Sequence, residues 1–78
     1  MQELIEYIAR SLVDDPTQVR VSQQRSGDNV QIRLHVAQED MGRVIGRNGR
    51  VANAMRVLLR VAAAHDGSRA VLDIAEPR

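Results

Sequence analysis

The stretch Val44-Ile45-Gly46-Arg47-Asn48-Gly49-Arg50-Val51 decides how this chain is read. Ahead of it, Glu39-Asp40 precede Met41, Val44 and Ile45, which suits a short helix with its acids at the positive end of the dipole. Gly46 stops that helix. Beyond the stretch, Val51, Ala54, Met55, Leu58, Val61 and Ala62 recur at i, i+3, i+4, i+7 spacing. They are expected to form the buried stripe of a longer helix over residues 50–64, closed by His65-Asp66-Gly67. A bare G-x-x-G is a weak signal, because glycine at its usual frequency of about 7% produces that spacing in many chains. Its place in a tight connection between two amphipathic helices is what gives it weight.

Working outward, Leu4, Ile5, Ile8, Leu12 and Val13 follow helical spacing. Asp14-Asp15-Pro16 interrupts the pattern, since proline disfavours helix in the residue before it, so the first helix should end near Val13. Val19 and Val21 alternate with Arg20 and Ser22, and Val30, Ile32, Leu34 and Val36 alternate with Gln31, Arg33 and His35, the period of strands with one buried face. Ser26-Gly27-Asp28-Asn29 between them reads as a hairpin turn. Ala70, Leu72 and Ile74 alternate with Val71 and Asp73 in a third strand.

The order is therefore α-β-β-α-α-β. The hairpin makes the first two strands antiparallel, and a crossover of two helices makes the second and third parallel with right-handed chirality. The expected fold class is α+β, a three-stranded mixed sheet with three helices on one face and an open face carrying Arg20, Arg33 and His35. No repeat, low-complexity tract or linker divides the chain, so one domain is expected over residues 1–78, with its core at about 2–75.

Composition narrows the function. The 78 residues are 44% apolar but contain no Phe, no Trp and one tyrosine, Tyr7, so the core must be aliphatic. Without cysteine there is no disulfide framework, thiolate metal site or cysteine nucleophile. No signal peptide or apolar span long enough for a bilayer stands out, which leads to an expectation of a cytoplasmic protein with no membrane partner. His35 and His65 have no identifiable serine or cysteine partner, and the acid pairs Asp14-Asp15 and Glu39-Asp40 sit beside helix ends, where capping and dipole effects account for them. No cluster has metal-ligand spacing. The expectation is a non-enzyme with no catalytic residue, metal or cofactor.

Charge is concentrated where the glycines are. Residues 41–65 hold five arginines (Arg43, Arg47, Arg50, Arg56, Arg60) and no acid, a local +5, while six arginines and ten acids elsewhere sum to −4. A local basic surface matters more to phosphate than the net +1 does. Two glycines strip the turn of Cβ atoms so that a sugar-phosphate chain can approach, and the following helix starts with unsatisfied N–H groups aimed at it. Asn48 is a candidate N-cap. Arg50, Asn53, Arg56 and Arg60 form a polar stripe along the long helix, expected opposite its apolar one.

The Val-Ile-Gly-x-x-Gly core between two helices resembles the KH domain, and the helix and hairpin ahead of it resemble the type II arrangement. Over about residues 2–75 the chain closely resembles the small stand-alone bacterial KH proteins of the KhpA family, whose loop often carries lysine and glutamine where this one has Arg47 and Asn48. The resemblance implies single-stranded RNA as ligand, gripped over about four nucleotides by the loop. Gly46, Arg47, Asn48, Gly49 and Arg50 would then hold the backbone with help from Arg43. Val44, Ile45 and Val51, with aliphatic residues of the second strand, would line the base groove. It further implies an RNA chaperone or post-transcriptional role, within a homodimer or a heteromer with a larger KH-containing protein. The rival expectation is a protein-interaction subunit whose groove is vestigial. The lack of stacking aromatics favours it; the positive Arg47 opposes it.

Overall fold

Proline at position 16 and apolar spacing from Leu4 onward delimit the first helix, and in the computed structural model, which describes residues 1–75, α1 runs over Gln2–Leu12. Strands β1 (Arg20–Ser26) and β2 (Asn29–His35) follow, then α2 (Met41–Ile45), α3 (Arg50–His65) and β3 (Arg69–Ile74). Single 3-10 turns occupy Pro16–Gln18, Gln38–Asp40 and Arg47–Gly49. The sheet order is β1-β2-β3, antiparallel between β1 and β2 and parallel between β2 and β3, as the element order requires. The expectation of one domain over 1–78 extends to residues 76–78, which lie outside the described residues.

Alternation sorts the sheet into two faces. Val30, Ile32, Leu34 and Leu72 turn inward and are buried with Ile5, Val44, Met55 and Leu59 in an aliphatic core beneath the three helices. Arg20, Arg33 and His35 lie exposed on the open face, as expected. Tyr7, the one aromatic residue, projects from α1 and is 74% exposed.

The long helix packs by a different stripe from the one its spacing suggested. Ala52, Met55, Leu59 and Ala63 are buried, with Val51 and Ala62 half-buried, while Ala54, Leu58 and Val61 face outward. Val57, Leu58 and Val61 are 54%, 48% and 65% exposed. The physical reason is that α3 carries two apolar stripes of equal periodicity, and periodicity alone cannot say which one meets the sheet. The stripe rich in alanine lets the helix lie close to the strands. A helix turns about 100° per residue, so Arg56, Arg60 and Asn53 border the buried stripe, while Arg50 lies nearly opposite it.

Asp40 stands at the N-cap of α2, the end of the helix dipole expected of it, but its carboxylate is turned to other partners. Its side chain is buried, and it makes no side-chain cap on α2. It accepts instead the backbone N–H groups of Asp14 and Asp15 at 3.2 Å each, and Arg43 Nε lies 3.5 Å from it. One carboxylate thus ties the end of α1 to the start of α2. Removing it in Asp40→Ala takes the charged acceptor from two part-buried backbone donors, a loss of about 2–4 kcal/mol in a urea unfolding curve. Arg43→Ala, which deletes a half-exposed guanidinium, should cost about 1 kcal/mol or less. Equal losses in the two variants would show that the ion pair, not the backbone clasp, holds this corner.

Candidate nucleic-acid interface

The loop between α2 and α3 is shaped by three left-sided backbone conformations within four residues. Gly46 has φ 76 and ψ 173, a combination open essentially to glycine. Asn48 follows at φ 56 and ψ 25, and Gly49 at φ 76 and ψ 14. Asn48 is the one non-glycine residue with positive φ among those described, and asparagine tolerates that region better than most. The Gly46 N–H donates to the Gly42 carbonyl at 2.8 Å and the Gly49 N–H to the Gly46 carbonyl at 3.2 Å, which closes the turn.

The two glycines are needed for different reasons. A Cβ on Gly46 would stand 2.5 Å from Val51 Cγ2 and 2.9 Å from the Val51 nitrogen, so the loop folds back against the first turn of α3. A Cβ on Gly49 would meet nothing nearer than Asn53 Nδ2 at 3.9 Å. The space over Gly49 is open to an approaching chain. Asn48 does not cap α3: Gly49 holds the N-cap position without a side-chain bond, and the Arg50 N–H donates to the Arg47 carbonyl, so the N–H groups after it in the first turn have no side-chain cap. Successive N–H groups in a turn of mixed handedness make an anion-binding concavity, and the helix dipole adds to it.

The expected contact residues separate into two groups. Arg47, Asn48 and Arg50 are exposed around the loop, and neither arginine forms an ion pair among the described residues. Ile45 is partly open, and half-buried Val51 lies against Gly46. Arg43 is not free: its guanidinium is 2.9 Å from Asp14 and 3.5 Å from Asp40, so its charge is spent on the corner described above. Val44 is fully buried, and Val30, Ile32 and Leu34 of β2 are at most 2% exposed, so none of the four can line a groove. Each sits on the inward side of its element, where the core claims it.

The accessible groove runs elsewhere, between α3 and the free edge of β3. Arg56, Arg60, Ala70, Val71 and Leu72 line a concavity of about 130 Å³. Arg56 Nε donates to the Leu72 carbonyl at 3.5 Å, and its Nη1 donates to Asn53 Oδ1 at 3.5 Å. The polar stripe of α3 therefore continues from the loop along this edge. Sequence reasoning named the stripe but not the strand beside it. The signal was present in β3, which follows the crossover and so takes an outer place in the sheet.

Among the described residues no group of three or more His, Cys, Asp and Glu could hold a metal, and no helix is long and apolar enough to cross a membrane.

A helix and a strand ahead of a strand-helix-GxxG-helix-strand unit, with the last strand parallel to the middle one, define a type II KH domain. A family model described as "KhpA/KhpB, KH domain" matches residues 2–74, and the chain belongs to that family. It is 45% identical over 74 residues to the RNA-binding protein KhpA of Clostridium acetobutylicum, covering 95% of this chain and 99% of the relative. It is 47% identical over 74 residues to that of Treponema pallidum (94% and 91%) and 38% identical over 76 residues to that of Listeria monocytogenes (97% and 100%). No solved structure gives a significant match. The family is one of binding proteins, not of enzymes.

Proposed function

We propose that this protein binds single-stranded RNA through Gly46-Arg47-Asn48-Gly49, with the phosphates on Arg47, Arg50 and the N–H groups at the start of α3. The observation that carries the reading is the open space over Gly49 at a helix N-terminus without a side-chain cap, rimmed by Arg47 and Arg50, which form no ion pair among the described residues. Relatives bearing the name RNA-binding protein KhpA support it. Ile45 and Val51 offer the apolar contact for a base, and Asn53 and Arg56 border the path that the strand takes along β3. Arg43 and Val44 act behind this surface, one by bracing α2 and the other by anchoring it in the core.

A clamp of about four nucleotides without stacking rings has little free energy to spare, so the domain works in an assembly. The outward apolar stripe of α3, with Val57, Leu58 and Val61, favours contact with a second copy or a larger KH-containing protein. Joining two RNA-binding modules raises avidity by about 10²- to 10⁴-fold. In that form the protein acts in the cytoplasm as an RNA chaperone or post-transcriptional regulator. The same stripe is the observation that favours the second reading, a protein-interaction subunit.

Salt dependence tests the first reading. Counterion release gives a slope of about −0.7 per phosphate neutralised on a single strand, so two or three contacts predict a log-log slope of roughly −1.5 to −2. Arg50→Ala should flatten that slope by about 0.7. An unchanged slope in this variant would take Arg50 out of the interface.

A further inference from the structure

The strand register places an ordered polar surface on the side of the sheet that the helices leave bare. Across β1, β2 and β3 its rows are Ser26, Asn29 and Arg69; Gln24, Gln31 and Val71; Ser22, Arg33 and Asp73; and Arg20 beside His35. Three arginines and a histidine stand against one acid, Asp73, which is already tied to Arg33 at 3.1 Å. Arg20 and Arg69 form no ion pair among the described residues. Asp28, the nearest other acid along the chain, lies in the turn beyond the last row.

These rows hold one apolar side chain, Val71, 63% exposed on the edge strand beside Gln31. Gln24, Gln31 and Val71 are part of the lining of a shallow concavity of about 690 Å³. An aliphatic platform beside amides that both donate and accept suits the face and edge of a nucleobase. Residues on one face of a strand repeat every ~7 Å, so Arg20 and Arg69 stand roughly 20 Å apart along the sheet, enough for several nucleotides. Arg20 and His35 mark the end of the sheet from which the chain passes into α2 and the GxxG loop.

We propose that the open sheet face is a second contact surface for single-stranded RNA, holding a base over Val71 and against Gln31, with phosphates on Arg20 and Arg69. The inference rests on the clamp reading for the identity of the ligand, and it assigns to this face the part of the strand that the four-nucleotide clamp leaves over. Charge complementarity selects a polyanion as occupant, and the exposed valine distinguishes a base-bearing one from a bare phosphate.

The test compares a 6-nucleotide and a 20-nucleotide mixed-sequence single-stranded RNA by fluorescence anisotropy, with folding checked by circular dichroism. Arg20→Ser/Gln31→Ala/Arg69→Ser changes only exposed side chains outside the groove between α3 and β3; it should keep 6-mer affinity within about twofold and weaken the 20-mer about tenfold. The 20-mer salt slope should become shallower by about 1.4, two phosphates at 0.7 each. Asp73→Asn, which releases Arg33, should tighten the 20-mer about threefold. Equal binding of the 20-mer by the triple variant and the wild type would overturn the proposal, as would equal losses for both lengths. Failure of the clamp reading looks different: Arg47→Asp/Asn48→Asp would then hold the 6-mer as wild type does, whatever the sheet variants do to the 20-mer.

Discussion

The double variant Arg47→Asp/Asn48→Asp should lose RNA binding by about 100-fold or more while keeping the fold. Both residues are exposed on the loop, and neither contributes to the aliphatic core. The left-handed backbone at position 48 accepts aspartate nearly as well as asparagine. Electrostatically the change is large, because it removes one positive charge and adds two negative ones beside the phosphates that the loop is to hold. Charge-assisted hydrogen bonds contribute about 1.5–3 kcal/mol each, so losing one and adding repulsion exceeds the roughly 2.8 kcal/mol that 100-fold represents. Far-UV circular dichroism and a gel shift on the same sample decide the matter. A folded double variant with wild-type affinity would remove the loop from RNA binding.

The glycines give the second large effect, and they should behave oppositely. In Gly46→Ala the new methyl carbon would meet Val51 at 2.5 Å in a backbone conformation that alanine avoids. Strain of about 1–3 kcal/mol and overpacking of a further 1–3 kcal/mol add to a substantial part of the stability of a domain this size. Its melting temperature should fall by about 10 °C or more. Gly49→Ala meets open space and carries only a left-handed penalty of about 1–2 kcal/mol, so it remains folded. On the proposed clamp its methyl group would stand where the sugar-phosphate chain comes closest, so RNA affinity should fall more than stability does. Thermal melts and a binding isotherm on both variants check the contrast. Similar melting temperatures for the two would mean that the loop relaxes around Val51.

The topology was legible because its signals are local and redundant. Alternation from Val30 to Val36, the turn at Ser26-Gly27-Asp28-Asn29 and the helix-loop-helix around Gly46 each point to the same architecture. Legibility failed where a residue's role depends on what lies across from it. Val44 and the aliphatic residues of β2 read equally well as groove or core, and only the packing of three helices on one face makes them core. Arg43 lies in the basic segment but meets Asp14, which is 29 residues distant in sequence. The outward stripe of α3 was visible in Val57-Leu58-Leu59 and Val61-Ala62-Ala63-Ala64, runs too apolar for a helix with a single buried side.

Tyr7 makes the protein optically quiet. With no Trp and no Phe, near-ultraviolet absorption and emission come from one phenol ring on the outer side of α1. Tyrosine emission during unfolding therefore reports on that helix, while far-ultraviolet dichroism follows the whole backbone, and agreement between the two is a direct check on cooperativity. In a complex nearly all ultraviolet absorbance belongs to the nucleic acid, so the hypochromism lost as bases unstack on binding can be read without correction for the protein.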